Sequence, residues 1–155
     1  MKEIVQKLQQ RGEHIATMES CTGGYLASEI TNISGSSDIF RLGLVTYHNE
    51  EKIRFGVKKD TIAKYTVYSK EVAQEMAKCA SQMANTEWGI GTTGILGRPD
   101  PQNGNIAVQK AYYAIFHQGE FVTGEVSFAG DNREKNKQAI FEKIREDLLE
   151  KLEER

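Results

Sequence analysis

The feature that most limits how this chain can fold is a change of pattern around residue 20. His14-Ile15-Ala16-Thr17-Met18 is a short strand candidate, and Gly23-Gly24 opens a segment with Leu26, Ala27, Ile30 and Ile33 at helical spacing. Glu19-Ser20-Cys21-Thr22 lies between them, so the strand ends at Glu19 or Ser20 and a glycine-opened turn leads into a helix. Ser34-Gly35-Ser36-Ser37 closes that helix.

The rest of the chain extends the same scheme. Ile4, Val5 and Leu8 share a helical face, and Arg11-Gly12 supplies the stop. Leu42, Leu44, Val45 and Tyr47 make a second strand, followed by a short polar helix from about Asn49 to Phe55 and a turn at Gly56. Ser69 is placed to cap a helix whose apolar stripe is Val72, Met76, Ala80 and Met83, with Cys79 packed beside it. Trp88 to Thr92 is a third strand, and Thr93 to Gly104, which holds both prolines, is a loop. Val108 to Phe116 and Phe121 to Phe128 read as a hairpin across His117-Gln118-Gly119-Glu120. A long helix capped by Asp131 closes the chain, with Ile140, Ile144, Leu148 and Leu152 facing the core and mixed charges facing solvent. Strands alternating with helices, then a hairpin, give an α/β fold: a mixed sheet covered by helices on both faces.

Composition sets the scale. A chain of 155 residues, 39% apolar and 27% charged, can bury one core, so residues 1–155 are expected to be a single domain. Twenty Lys and Arg against 22 Asp and Glu leave no basic excess, which argues against nucleic acid as a partner. No apolar run approaches the roughly 18 residues that span a bilayer, and Met1 to Gln10 reads as an amphipathic helix rather than a signal peptide. The expectation is a cytoplasmic protein without a membrane partner. Cys21 and Cys79 stand outside any Cys-x-x-Cys pattern, and His14, His48 and His117 are scattered, so neither metal nor cofactor is expected.

The run Glu19 to Gly24 carries the chemistry. It puts a hydroxyl at the end of a strand, just before the first turn of a helix, where backbone N–H groups and the helix dipole can hold a phosphate or an oxyanion. Ser, Thr and Gly are also ordinary turn and cap residues, and both readings stand on the residues alone.

The run resembles the signature of the CinA C-terminal domain family, the nicotinamide mononucleotide deamidases. The likeness continues in order through Gly35-Ser36-Ser37, Phe40, Gly43, Val45-Thr46-Tyr47, Asn49-Glu50, Lys52, Gly56-Val57 and Ser69-Lys70-Glu71-Val72-Ala73. The resemblance implies a three-layer α/β/α sandwich with a mixed, mostly parallel sheet, a homo-oligomer of two or more subunits, and a small-molecule nucleotide substrate. The implied reaction is metal-free hydrolysis of the carboxamide of nicotinamide mononucleotide to nicotinate mononucleotide and ammonia. Ser20 would be the nucleophile and Lys52 the base, which is coherent if a dry or cation-rich site lowers the amine pKa. Read without the family, Lys52 in Glu50-Glu51-Lys52 is a surface lysine, Tyr47 a strand-end aromatic and Asn49 a turn residue. The family positions make Thr22, Gly23, Gly24, Tyr47, Asn49, Thr93, Gly94 and Arg133 substrate-binding candidates and leave Cys21 as a packing residue.

Beyond Gly97 the pattern changes. The family has a Pro-Gly-Gly-rich loop leading to Lys-Pro-Val-Gly, where this chain has Arg98-Pro99-Asp100-Pro101-Gln102-Asn103-Gly104. The family's Gly-Asp-Arg becomes Gly130-Asp131-Asn132-Arg133, and Thr66-Val67-Tyr68 precedes Ser69 without the family glycine. One residue is about 100° around a helix, so the place of Arg133 depends on where that helix begins. Two functional readings follow: a deamidase with a divergent substrate-binding half, or a paralogue of lost or altered activity that binds a nucleotide or small anion. Many relatives carry a further N-terminal domain for which 155 residues leave no room, so the stand-alone form is expected.

Overall fold

A computed structural model describes residues 1–98 and 109–154 of the chain. Among them five strands, β1 (Ile15–Glu19), β2 (Phe40–Val45), β3 (Trp88–Gly94), β4 (Lys110–His117) and β5 (Glu120–Ser127), form one sheet in the order β2-β1-β3-β4-β5. β1 pairs in parallel with both β2 and β3, whereas β4 is antiparallel to β3 and to β5. The sheet is therefore evenly mixed, not mostly parallel as expected. Part of the cause is the two-residue turn Gln118-Gly119, at φ 49° and 91°, a connection that can join only antiparallel strands.

Helices cover both faces. α1 (Lys2–Arg11), α2 (Tyr25–Thr31) and α6 (Arg133–Glu153) bury Leu8, Ile30, Ile144 and Leu148 with Ile15, Trp88 and Ile90 of the sheet. On the opposite face α5 (Lys70–Ala84) packs Val72, Met76 and Ala80 against Ala16 and Met18, flanked by α3 (Asn49–Arg54) and α4 (Lys59–Tyr65). Ile15 thus faces one layer and Ala16 and Met18 the other, the period-two alternation of a strand buried on both sides. The sandwich has three layers.

Several boundaries differ from expectation for local reasons. α6 is capped by Asn132, whose Oδ1 accepts from the Lys135 N–H at 3.0 Å, and not by Asp131. Thr93 and Gly94 belong to β3, where they pair with Tyr112 and Ala111, instead of opening the loop. Tyr47 lies past the end of β2, and Ile33 past the end of α2. Met83, in the last turn of α5, is 49% exposed: Ala77 and Ser81 already meet Gly89 near the start of β3, so the helix has outrun the sheet. α4 buries no residue and so gave no apolar stripe to read. Val108 and the stretch from Pro99 to Gly104 lie outside the described residues.

The closest approach in the sandwich is α5 onto β3. A Cβ on Gly89 would stand 2.0 Å from the Ala77 carbonyl oxygen, and one on Gly91 2.3 Å from that of Ala73. Two glycines two residues apart present a bare strip on one strand face, and Ala73, Ala77 and Ala80 let the helix backbone settle on it. Gly89→Ala is expected to lower unfolding stability by about 3 kcal/mol in urea denaturation, at the upper end for overpacking. Gly130→Ala, with nothing within 4 Å, should shift it by under about 0.5 kcal/mol.

Candidate functional site

β1 is the first strand of the chain and lies in the middle of the parallel part of the sheet. From it the chain crosses through α2 to β2 on one side and then through α5 to β3 on the other. The two crossovers lie on opposite faces, so a crevice opens at the carboxyl ends of β1 and β3, the place where open α/β sheets bind ligands. Ser20 follows β1 there, and Gly94 ends β3.

The Ser20 backbone is fixed by β3: its N–H donates to the Thr92 carbonyl at 3.0 Å. Its hydroxyl accepts from Lys52 Nζ at 2.8 Å. Lys52 lies one turn into α3, whose N-cap is His48, and its amine also donates to the carbonyls of Thr46 at 2.8 Å and Tyr47 at 3.4 Å. The surface position suggested by Glu50 and Glu51 does not hold, because Lys52 is 1% exposed. Burial lowers its pKa from 10.5 to about 8. Cys21 is buried beside it, and burial pushes its thiol up to about 12, so it stays protonated at neutral pH.

The turn between Ser20 and α2 is organised by Glu19, a role that its place at the strand end does not by itself reveal. Its buried carboxylate accepts from Leu26 N–H at 2.9 Å, Ala27 N–H at 3.1 Å and Thr22 Oγ1 at 2.7 Å. The first turn of α2, expected to offer these N–H groups to a ligand anion, is therefore occupied by the protein's own carboxylate. Thr22 Oγ1 also lies 2.8 Å from Thr92 Oγ1. A carboxylate at the strand end, followed by Gly-Gly and a helix, is the signal that could have found this contact.

A cavity of about 300 Å³ opens beside the pair. Of the candidates, Ser20, Lys52, Tyr47, Asn49, Gly94 and Arg133 line it. Thr22 and Thr93 are buried outside its wall, and Thr93 Oγ1 donates to the Val67 carbonyl, holding the strip that brings Val67 and Tyr68 to the cavity. Gly23 and Gly24 are turn residues, at φ 60° and 93°, and do not line it either. Gly94 is glycine for a packing reason, since a Cβ would stand 2.4 Å from Ala111 Cα. Arg133 does reach the cavity: as the first residue of α6 it crosses the bare face of Gly97, and its Nη2 donates to Tyr47 Oη at 2.9 Å. Arg98, Tyr68 and Leu96 also line the cavity and were not singled out from the sequence. Among the described residues no group of three or more His, Cys, Asp and Glu side chains could hold a metal ion. No helix among them is long and apolar enough to cross a membrane.

These features define a three-layer α/β protein with a buried Ser–Lys pair at the carboxyl edge of its parallel strands. Residues 1–152 match the CinA C-terminal domain, and the chain belongs to that family. It is 42% identical over 132 residues to a putative competence-damage inducible protein of Clostridium kluyveri, covering 84% of this chain and 32% of that one. It is 38% identical over 140 residues to a CinA-like protein of Kosmotoga olearia, covering 89% and 34%. The chain thus spans about a third of the length of these curated relatives. Among solved structures, a CinA superfamily protein from Klebsiella pneumoniae superposes with a TM-score of 0.90 at 26% identity, over 99% of this chain and 96% of that one. The competence/damage inducible protein CihA of Agrobacterium tumefaciens gives 0.83 at 28%, over 95% and 90%.

Two measurements check this geometry. Glu19→Ala removes the acceptor of the Leu26 and Ala27 N–H groups and of the Thr22 hydroxyl, and should lower unfolding stability by about 2–4 kcal/mol. For Lys52 the folded-state pKa lies below the unfolded one, so between about pH 8 and 10.5 the unfolded chain holds more protons and stability rises with pH. Relative to Lys52→Met, the wild type should therefore gain about 2 kcal/mol between pH 7.5 and 10 in chemical denaturation.

Proposed function

We propose that the chain hydrolyses the carboxamide of nicotinamide mononucleotide, with Ser20 as nucleophile and Lys52 as general base. The observation that carries this reading is the 2.8 Å contact of Lys52 Nζ with Ser20 Oγ, made by an amine whose other two contacts are carbonyl oxygens. A neutral amine has two N–H donors and one lone pair. With Thr46 and Tyr47 taking the two N–H groups, the lone pair is directed at the Ser20 hydroxyl, and a pKa near 8 makes the neutral form accessible at physiological pH.

Ser20 Oγ attacks the carboxamide carbon while its proton passes to Lys52, giving a tetrahedral oxyanion. The C–N bond then breaks, Lys52 returns the proton to the leaving nitrogen, and ammonia departs from an ester on Ser20. Water, deprotonated by Lys52, attacks that ester, the C–O bond to Ser20 breaks as Lys52 returns the proton to Oγ, and the acid leaves and ionises to the carboxylate. Tyr47 and Tyr68 offer aromatic faces for the pyridine ring, and Asn49 a side-chain amide for the carboxamide.

The test is ammonia release from nicotinamide mononucleotide. Turnover should rise with pH along a single ionisation near 8 and then level off. Ser20→Ala should lower kcat by about 1,000-fold or more. Lys52→Arg, which keeps the charge but cannot deprotonate, should be as inactive as Lys52→Ala. No ammonia at high enzyme concentration overturns the reading, and nucleotide binding without turnover would assign the chain to the paralogue of altered activity.

A further inference from the structure

Three non-glycine residues have a positive φ among the described residues: Asn85, Gln118 and Thr66. Asn85, at φ 53° and ψ 56°, closes α5 in the left-handed helical region that asparagine tolerates, and Gln118 begins the two-residue hairpin turn. Thr66 differs from both. At φ 67° and ψ 163° it occupies a region that is in essence reserved for glycine, and its β-branched side chain makes that conformation costly.

A residue stays in such a conformation only where its surroundings impose it. The residues that follow Thr66 do so. Ser69 Oγ donates to the Thr66 carbonyl at 2.9 Å and caps α5 by accepting from the Val72 N–H at 3.3 Å. The Val67 carbonyl accepts from Thr93 Oγ1 at 2.8 Å, and the Val67 side chain is buried with Ala16, Met18 and Met76. The chain before Thr66 is held less: α4 buries no residue, and Thr66 itself is exposed. The strained turn is therefore set from the side of the cavity. Tyr68 stands between the anchored Val67 and Ser69, and Val67 and Tyr68 both line the cavity.

We propose that Thr66 is a positioning residue: its turn delivers Val67 to the core and Tyr68 to the cavity wall, and so sets the aromatic face that meets the ring of the ligand. The inference rests on the proposed function for the ligand and for Tyr68 as a partner of its ring. Thr66 does not line the cavity and acts through Tyr68. Its hydroxyl lies 3.5 Å from the Tyr68 carbonyl, the outer limit of a hydrogen bond, so the backbone conformation and not the hydroxyl carries the role.

Turnover of nicotinamide mononucleotide, and its binding by calorimetry, are measured for Thr66→Pro and Thr66→Gly, each with and without Tyr68→Ala. Proline holds φ near about −65° and forbids the turn. Thr66→Pro should raise KM and Kd by about fivefold or more, with kcat within about twofold and the ionisation of Lys52 in the pH profile unmoved. With Tyr68→Ala already present, the same substitution should change neither constant further. Thr66→Gly adopts the turn without strain and should keep the wild-type KM. Its thermal midpoint should rise, whereas Thr123→Gly, at an exposed strand position, should lower it. Wild-type affinity in Thr66→Pro, an equal effect with and without Tyr68, or a glycine variant that loses affinity as the proline variant does overturns the role. If Thr66→Pro does not fold, Thr93→Val replaces it: freeing the Val67 carbonyl should raise KM, and Thr66→Gly added to it should restore KM by removing the strain. A failure of glycine to restore it overturns the role. If the wild type binds the mononucleotide without releasing ammonia, the deamidase reading fails and the role is decided on Kd. If ammonia is released and Thr66→Pro keeps its KM, the role fails and the deamidase reading stands. A wild type that does not bind the mononucleotide overturns both.

Discussion

Ser20 follows a buried carboxyl group in the chain and meets a buried amine, and the arrangement depends first on the carboxyl group. Glu19 is fully buried at the end of β1, and its carboxylate oxygens are taken up by the first N–H groups of α2 and by Thr22. An ionised carboxylate in such a place is tolerable only when hydrogen-bonded this completely, and the helix N-terminus is also favourable to negative charge. The contact reaches from strand to helix across the turn, so the turn has little freedom. Ser20 is thereby held at one point relative to the sheet, with Thr92 of the neighbouring strand fixing its peptide from the other side.

Lys52 completes the site from a separate element. α3 begins at Asn49, only a few residues after β2 ends, and this short connection brings the amine back over the end of β1. Strand order does the rest. Because β2 and β3 flank β1 with crossovers on opposite faces, the crevice above Ser20 is open, and its wall is drawn from the β2–α3 turn with α3, the chain before α5, the end of β3 with the chain after it, and the start of α6. Thr93 of β3 holds the chain before α5 through the Val67 carbonyl.

The strand–turn–helix around Ser20, the helix faces and the β4–β5 hairpin were legible in the sequence because each is a local pattern of period 2 or 3.6 bounded by turn residues. What was not legible is what depends on partners distant in the chain. Thr22 and Thr93 looked like ligand-binding hydroxyls, yet each is consumed by a backbone or side-chain partner 26 to 70 residues away. Lys52 looked exposed because its neighbours in α3 are charged, and only the position of that helix over β1 buries it. Arg98 carried no local signal at all. The one-residue shift in Gly130-Asp131-Asn132-Arg133 was visible, but its effect depended on which residue caps α6: with Asn132 as the cap, Arg133 becomes the first helical residue and still reaches the cavity.

Lys52 lines the same cavity as Arg98 and Arg133. A phosphate dianion placed beside a catalytic lysine would stabilise its protonated form and work against its use as a base. Burial is the cause that lowers Lys52 here, and no neighbouring cation is needed for it. On the proposed reading, the guanidinium groups of Arg98 and Arg133, which line the same cavity, would offset the field of a bound anion on Lys52. For the proposed hydrolysis, the base therefore depends on burial and not on a neighbouring cation, and the cations of the cavity wall are not needed to tune it.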